Sequence, residues 1–171
     1  MKEVLLPKTC LGRIQLHDAF EFVFGEQTLK IIHGDTLRVN PWKDNNTRTL
    51  QFRIQMNNVP SEIKRFICGD TLKITNKQSR QYEGDTHIHV NNKLKMHFVG
   101  AEMFSVRPSF SLEHEGGQTY IRGKIEHRAR LPIPLNNICE QFMSMRSQHE
   151  IDYFATVLKT GIGNRGPFGF F

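Results

Sequence analysis

Residues 131–158, LPIPLNNICEQFMSMRSQHEIDYFATVL, are the one stretch long enough to act as a single structural spine. Pro132 and Pro134 open it, and a proline in the first turn of a helix forfeits no hydrogen bond that the turn would have made. From Leu135 onward the next glycine or proline is Gly161. Leu135, Ile138, Phe142 and Met145 recur at helical spacing, which puts them on one face, with Asn136, Asn137, Glu140 and Gln141 mostly off it. Ile151, Phe154, Val157 and Leu158 form a second apolar set, out of phase with the first around residues 146–149. About 25 residues at ~1.5 Å each reach roughly 37 Å, enough to cross a small domain. Such a helix needs a broad apolar surface beneath it.

That surface is written upstream as alternation. Leu50, Phe52, Ile54 and Met56 share one parity, against Gln51, Arg53 and Gln55 on the other, which predicts a half-buried strand. Phe66, Cys68, Leu72 and Ile74 share a parity through residues 63–77, with Asp70 as the one charged residue on it. Asp70 is either a polar anchor for a ligand hydroxyl or sits at a bulge after Gly69 and points outward; the bulge is favoured. Ile88, Val90 and Leu94 oppose His87 and His89. Phe104, Val106, Phe110 and Leu112 point inward from a further strand, in which Pro108 predicts an edge position or a bulge. Gly116-Gly117 predicts a hairpin, followed by Ile121 and Ile125 against Arg122, Lys124 and Glu126. Strands joined by short loops make an antiparallel meander the economical arrangement. Before them, Leu16, Phe20, Val23 and Phe24 predict a short helix stopped by Gly25. Residues 1–12 read as an extended arm broken by Pro7, and residues 161–171 as a flexible Gly/Phe-rich tail.

A chain of 171 residues, with 38% hydrophobic residues, 23% charged residues and 13 phenylalanines, suits a single globular domain with an aromatic core. Three widely spaced cysteines offer neither a disulfide framework nor a paired metal motif, which points to a reducing, cytoplasmic setting. No signal peptide or membrane-spanning window is expected. A net charge of +6 leaves anionic partners open, but no basic run exceeds two residues, so specific nucleic-acid binding is not expected.

The order of these features resembles the helix-grip, or START-like, fold, and within it the VASt (Aster) domain of membrane-contact-site sterol transporters. The residues carrying the likeness are the helix His17 to Phe24 with Gly25, the segment Asn40-Pro41-Trp42-Lys43-Asp44 running through Arg48 into Leu50-Gln51-Phe52-Arg53-Ile54, and Asp152-Tyr153-Phe154. The likeness covers residues 10–160. It implies one α+β domain over residues 1–160, a curved antiparallel sheet packed around the long C-terminal helix. It also implies non-catalytic binding or transfer of a hydrophobic ligand, a lipid with sterol among the candidates.

A sheet wrapped on a helix leaves a wedge-shaped space, and the residues expected to line it are Phe52, Ile54, Phe66, Leu72, Phe104, Phe110, Phe142 and Met145. The competing expectation is that these side chains simply fill the core. His87-x-His89 puts two imidazoles on one strand face, too few ligands for zinc, so neither metal nor cofactor is expected. The sequence offers no nucleophile elbow, no phosphate loop and no dinucleotide fingerprint set between a strand and the helix it would open, which argues against an enzyme. The basic surface suits peripheral contact with an anionic membrane. Phe168, Phe170 and Phe171 on their glycine-rich leash suit docking to a protein partner. The alternative function is therefore a structural subunit of a large assembly, such as a virion or shell component, that keeps the fold without a ligand.

Overall fold

The computed structural model describes residues 2–44, 46–56, 59–65, 67 and 69–165, with side chains described as far as residue 160. Seven antiparallel strands form one sheet: β1 (Lys2–Gly12), β2 (Arg38–Val39), β3 (Thr47–Gln55), β4 (Thr71–Glu83), β5 (His87–Met96), β6 (Phe104–Glu115) and β7 (Gln118–Ala129). The helices are α1 (Leu16–Phe24), α2 (Glu26–His33), α3 (Ser61–Lys64) and α4 (Leu135–Arg165). Strand order is β1-β7-β6-β5-β4-β3-β2, a meander whose first strand returns beside its last. The sheet curves, and α4 lies along its inner face against β1 and β7 while α1 and α2 cover the rest. The α+β helix-grip architecture is thus the observed one.

Alternation dictates the strands. On β3, β4 and β5 the buried positions include Leu50, Phe52, Leu72, Ile74, Ile88 and Val90, each two residues from its partner along the strand. Between β6 and β7, Gly116 and Gly117 take φ of +62° and +77°, as a two-residue hairpin of this hand requires.

Three expectations about the strands need correction. Residues 2–12 are no free arm but edge strand β1, burying Leu6 and Leu11. Its pairing with β7 shifts register between Leu6 and Thr9, where Pro7 has no N–H to give and an edge strand tolerates the loss. Residues 61–64 are helical rather than extended, because Pro60 opens a turn into which Ile63 and Lys64 donate their N–H groups. Pro108 occupies an interior strand without a register shift against β7. The β5–β6 pairing lapses beside it, and the Asn92 side-chain amide donates to its carbonyl at 3.2 Å. Asp70 follows the outward of its two readings: it is exposed in the approach to β4, where its carbonyl accepts from the Met56 N–H, and it is no anchor inside the sheet.

The buried stripe of α4 runs through Cys139, Ser147, Ile151, Phe154 and Leu158. It is rotated from the expected face over the first turns, so Met145 points outward at 67% exposure. Shape explains the rotation, since the small Cys139 and Ser147 let the helix approach the sheet more closely than a row of large side chains would. The helix also continues through Gly161 to Arg165. A glycine costs about 1 kcal/mol against alanine but leaves the hydrogen-bond ladder intact, as a proline would not.

Packing centres on Phe110. Opposite it on β7 stands Gly123, where an added Cβ would lie 2.3 Å from the Phe110 ring and 2.8 Å from the Ser109 carbonyl oxygen. With that space free, the Phe110 ring lies over β7 and meets Phe24 of α1 at 5.8 Å and Phe154 of α4 at 5.2 Å. Gly123→Ala should therefore destabilise the fold by about 1–3 kcal/mol through overpacking. Urea unfolding of the variant checks this, and an unchanged midpoint would contradict it.

Candidate functional site

Between α4 and the inner face of the sheet lie two adjoining cavities. The first, about 100 Å³, is walled by apolar side chains from four regions: Ile54 and Met56 at the end of β3, Ile63 of α3, Leu72 of β4, and Phe142 and Met143 of α4. Phe98 and Phe104, whose rings are 5.5 Å apart, close it on the β5–β6 side. The second, about 110 Å³, lies between α2, α4 and the sheet and is bounded by Phe24, Leu29, Phe52, Phe110 and Phe154. Ile54, Ile74, Leu94 and Glu150 line both, so they form the waist of one two-lobed space.

Of the residues expected here, Phe52, Ile54, Leu72, Phe104, Phe110 and Phe142 line one lobe or both. Met145 does not, for the reason given above, and Met143 takes its place in the wall. Phe66 lies outside the described residues, as do Phe168, Phe170 and Phe171 of the tail.

The second lobe has a polar floor that sequence reading passed over. Asn76, Gln78 and Asn92 line it and are 6%, 3% and 7% exposed. A signal was available, since Asn76 and Gln78 continue the parity of Leu72 and Ile74, and Asn92 that of Ile88 and Val90. Polar residues on a buried parity are the informative exceptions. At the rim, Arg48 donates from Nε to Gln78 Oε1 at 2.6 Å and from Nη2 to the Phe24 carbonyl at 2.8 Å. Burial, with Arg80 nearby, lowers the Arg48 pKa to about 10, which leaves it cationic at neutral pH. Its guanidinium also lies 4.3 Å from the centre of the Trp42 ring.

Four titratable groups line the space, Cys139 and Arg146 in the first lobe, His33 in the second and Glu150 in both. His33 stacks on Phe52 at 4.1 Å, and burial lowers its pKa to about 4, so the ring is neutral. Glu150 stands at the waist with its pKa raised by loss of solvation and only partly offset by Arg146 and His149. Its side chain keeps 49% of its accessible area while lining both lobes. The Arg146 guanidinium, 3.8 Å away, is too distant for a hydrogen bond.

The opposite face of the sheet is basic. Two open troughs there, of about 840 and 870 Å³, share Lys77, Lys93 and Arg107. Lys77 and Lys93 are direct cross-strand partners, an arrangement that costs stability unless an anion lies between them. His89 on this face bonds to Ser111 at 2.9 Å and Glu83 at 2.8 Å. Among the described residues, no group of three or more His, Cys, Asp or Glu side chains is placed to hold a metal ion.

A curved sheet gripping a terminal helix, with an apolar space between them, defines a helix-grip protein. Solved structures agree in fold: TTHA0849 from Thermus thermophilus superimposes with a TM-score of 0.60 at 11% identity, over 92% of this chain and 94% of that one. Ara h 8.0201 gives 0.52 at 12% identity, over 92% of this chain and 99% of that one. Human STARD10 gives 0.52 at 8% identity, over 97% of this chain and 69% of that one. No protein-family profile matches the sequence, and no curated protein matches it.

The neutral state of His33 has a consequence for pH. A histidine whose folded pKa is depressed takes up its proton more readily unfolded, so its contribution to stability is present above about 6.5 and is lost as pH falls through about 4. The loss amounts to at most roughly 3 kcal/mol. His33→Phe, which keeps the stack on Phe52, should flatten the acid limb of a stability–pH profile measured by urea unfolding; an unaltered limb would contradict the assignment.

Proposed function

We propose that the protein binds a hydrophobic ligand of lipid class, without catalysis, in the two-lobed space between α4 and the sheet. The observation that carries this reading is an apolar cavity walled by Leu72, Phe98, Phe104 and Phe142 and continued by Phe52 and Phe110. Each lobe is smaller than the ~300–1,000 Å³ of typical ligand pockets, so a lipid-sized occupant requires α4 or a neighbouring loop to move outward. A sterol, as in the VASt domains that the sequence resembles, is one candidate. STARD10 and Ara h 8.0201 lend the fold and nothing more specific.

The loop that would move is residues 97–103, between β5 and β6. Phe98 faces the first lobe, while Val99 and Met103 are 86% and 40% exposed. The Arg130 N–H donates to the Met103 carbonyl at 2.8 Å, which brings the segment leading to Ile133, itself 79% exposed, to the same end of the molecule. Lys95, Arg128 and Arg130 line the trough beside this loop, and the positive charge of Lys73 and Lys95 adds to desolvation in lowering the His97 pKa. Exposed apolar side chains ringed by cations are what an anionic membrane surface retains. Transfer would then take place where the cavity wall and the membrane contact coincide.

Native mass spectrometry and organic extraction of the purified protein test the first part: a stoichiometric bound lipid is expected. An empty protein that self-assembles would instead favour the structural-subunit alternative, with docking through Phe168, Phe170 and Phe171. For the second part, sedimentation with phosphatidylserine-containing vesicles should capture the protein in a salt-sensitive manner, and Val99→Asp with Met103→Asp should weaken capture about tenfold or more. Equal capture by neutral vesicles would count against the membrane contact.

A further inference from the structure

The polar floor of the second lobe is a hydrogen-bonded chain whose direction is set at both ends. Arg48 can only donate, so Gln78 must turn its oxygen toward Nε, which leaves the Gln78 amide nitrogen to donate to Asn92 Oδ1 at 2.9 Å. At the far end the Pro108 carbonyl can only accept, so Asn92 must present its own amide nitrogen there, at 3.2 Å, and its oxygen inward. Asn76 then meets an oxygen at 2.8 Å and has to offer Nδ2. Turning the Asn76 amide over would set two oxygens against each other at that distance, so the usual ambiguity of amide orientation does not arise. What remains is Asn76 Oδ1, a buried acceptor with no partner among the described residues, on a side chain that is 6% exposed and lines the cavity.

The network does not depend on Asn76, because Asn92 Oδ1 already receives the Gln78 amide. A leucine at position 76 would fit the parity of its neighbours and leave no acceptor unpaired. A buried polar atom that its own fold does not satisfy points to a partner from outside. The groups around it narrow the chemistry. The hydrogen bonds of Arg48 are directed at Gln78 and the Phe24 carbonyl, and the polar side chain at the waist is a carboxyl, Glu150. Among the described residues that line this lobe none is a cation at neutral pH, and Arg146, whose Nε also lacks a hydrogen-bond partner, lines the other lobe.

We infer that the ligand carries a neutral hydrogen-bond donor, a hydroxyl or an N–H, on an otherwise apolar body, and that Asn76 Oδ1 receives it. This rests on the cavity being the binding site and adds the chemical class of its occupant. Alcohols and N–H donors are thereby selected over hydrocarbons of the same shape.

Indole and indene test the inference, since they share a shape, only indole has an N–H, and both are far smaller than the lipid-sized occupant for which α4 would have to move. Isothermal titration calorimetry on the intact protein should show indole binding roughly 3- to 10-fold more tightly than indene. In Asn76→Leu the two should bind alike, with indene affinity retained; the Gln78–Asn92 bond keeps that variant folded, as a thermal melt would verify. Equal affinities in the unaltered protein overturn the inference while leaving the cavity reading in place. A preference that survives in Asn76→Leu overturns the role of Asn76. Failure of both probes to bind overturns the cavity reading and the inference together.

Discussion

Phe110 lies against Gly123 on the neighbouring strand, and from there its ring reaches Phe24 at 5.8 Å and Phe154 at 5.2 Å. These three rings belong to β6, α1 and α4, so one aromatic contact joins the sheet to the helix that opens the fold and the helix that closes it. The packing depends on the missing side chain at position 123, because a Cβ there would lie 2.3 Å from the ring in its present place. The same three rings wall the second lobe of the cavity, which meets the first at Ile54, Ile74, Leu94 and Glu150.

A second set of contacts holds α1 in place. Arg48 reaches from β3 to the Phe24 carbonyl at the end of α1, and Arg48 and Arg80 both lie over Trp42, at 4.3 and 4.1 Å. Trp42 in turn meets Phe20 at 5.9 Å. The Pro41-Trp42 step and Arg48 thus have a structural task in this chain. They clamp the α1 region to the sheet beside the polar floor. The sheet separates two chemistries, an apolar inner face that bears the cavity and a basic outer face bearing Lys77, Lys93 and Arg107.

Much of this was legible in one dimension. The alternation of Leu50, Phe52 and Ile54, and of Ile88 and Val90, depends only on the two-residue repeat of a strand, and the structure buries those side chains or packs them against the core. The hairpin at Gly116-Gly117 was readable because a tight turn of that hand requires positive φ. Other features were not. Residues 2–12 carry too weak an alternation to reveal that β7 offers them an edge, and Pro108 sits in an interior strand because a side chain from β5, Asn92, bonds its carbonyl. Met145 follows the helical period as well as Met143 does, and only the approach of Cys139 and Ser147 to the sheet decides between them. Six of the eight side chains expected at the cavity line it, yet Glu150 and His33 belong there equally and bear no mark of it in the sequence.

By itself the sequence determined the elements, their order and the existence of an apolar sheet face beneath a long C-terminal helix, because strand and helix periods are local properties of the backbone. Tertiary structure alone decided which turn of α4 faces inward, that Phe110 spans two helices, and that Asn76 ends a polar chain with an oxygen unpaired among the described residues. Those outcomes depend on which distant side chains arrive at the same place, and on how much room a glycine or a serine leaves when they do.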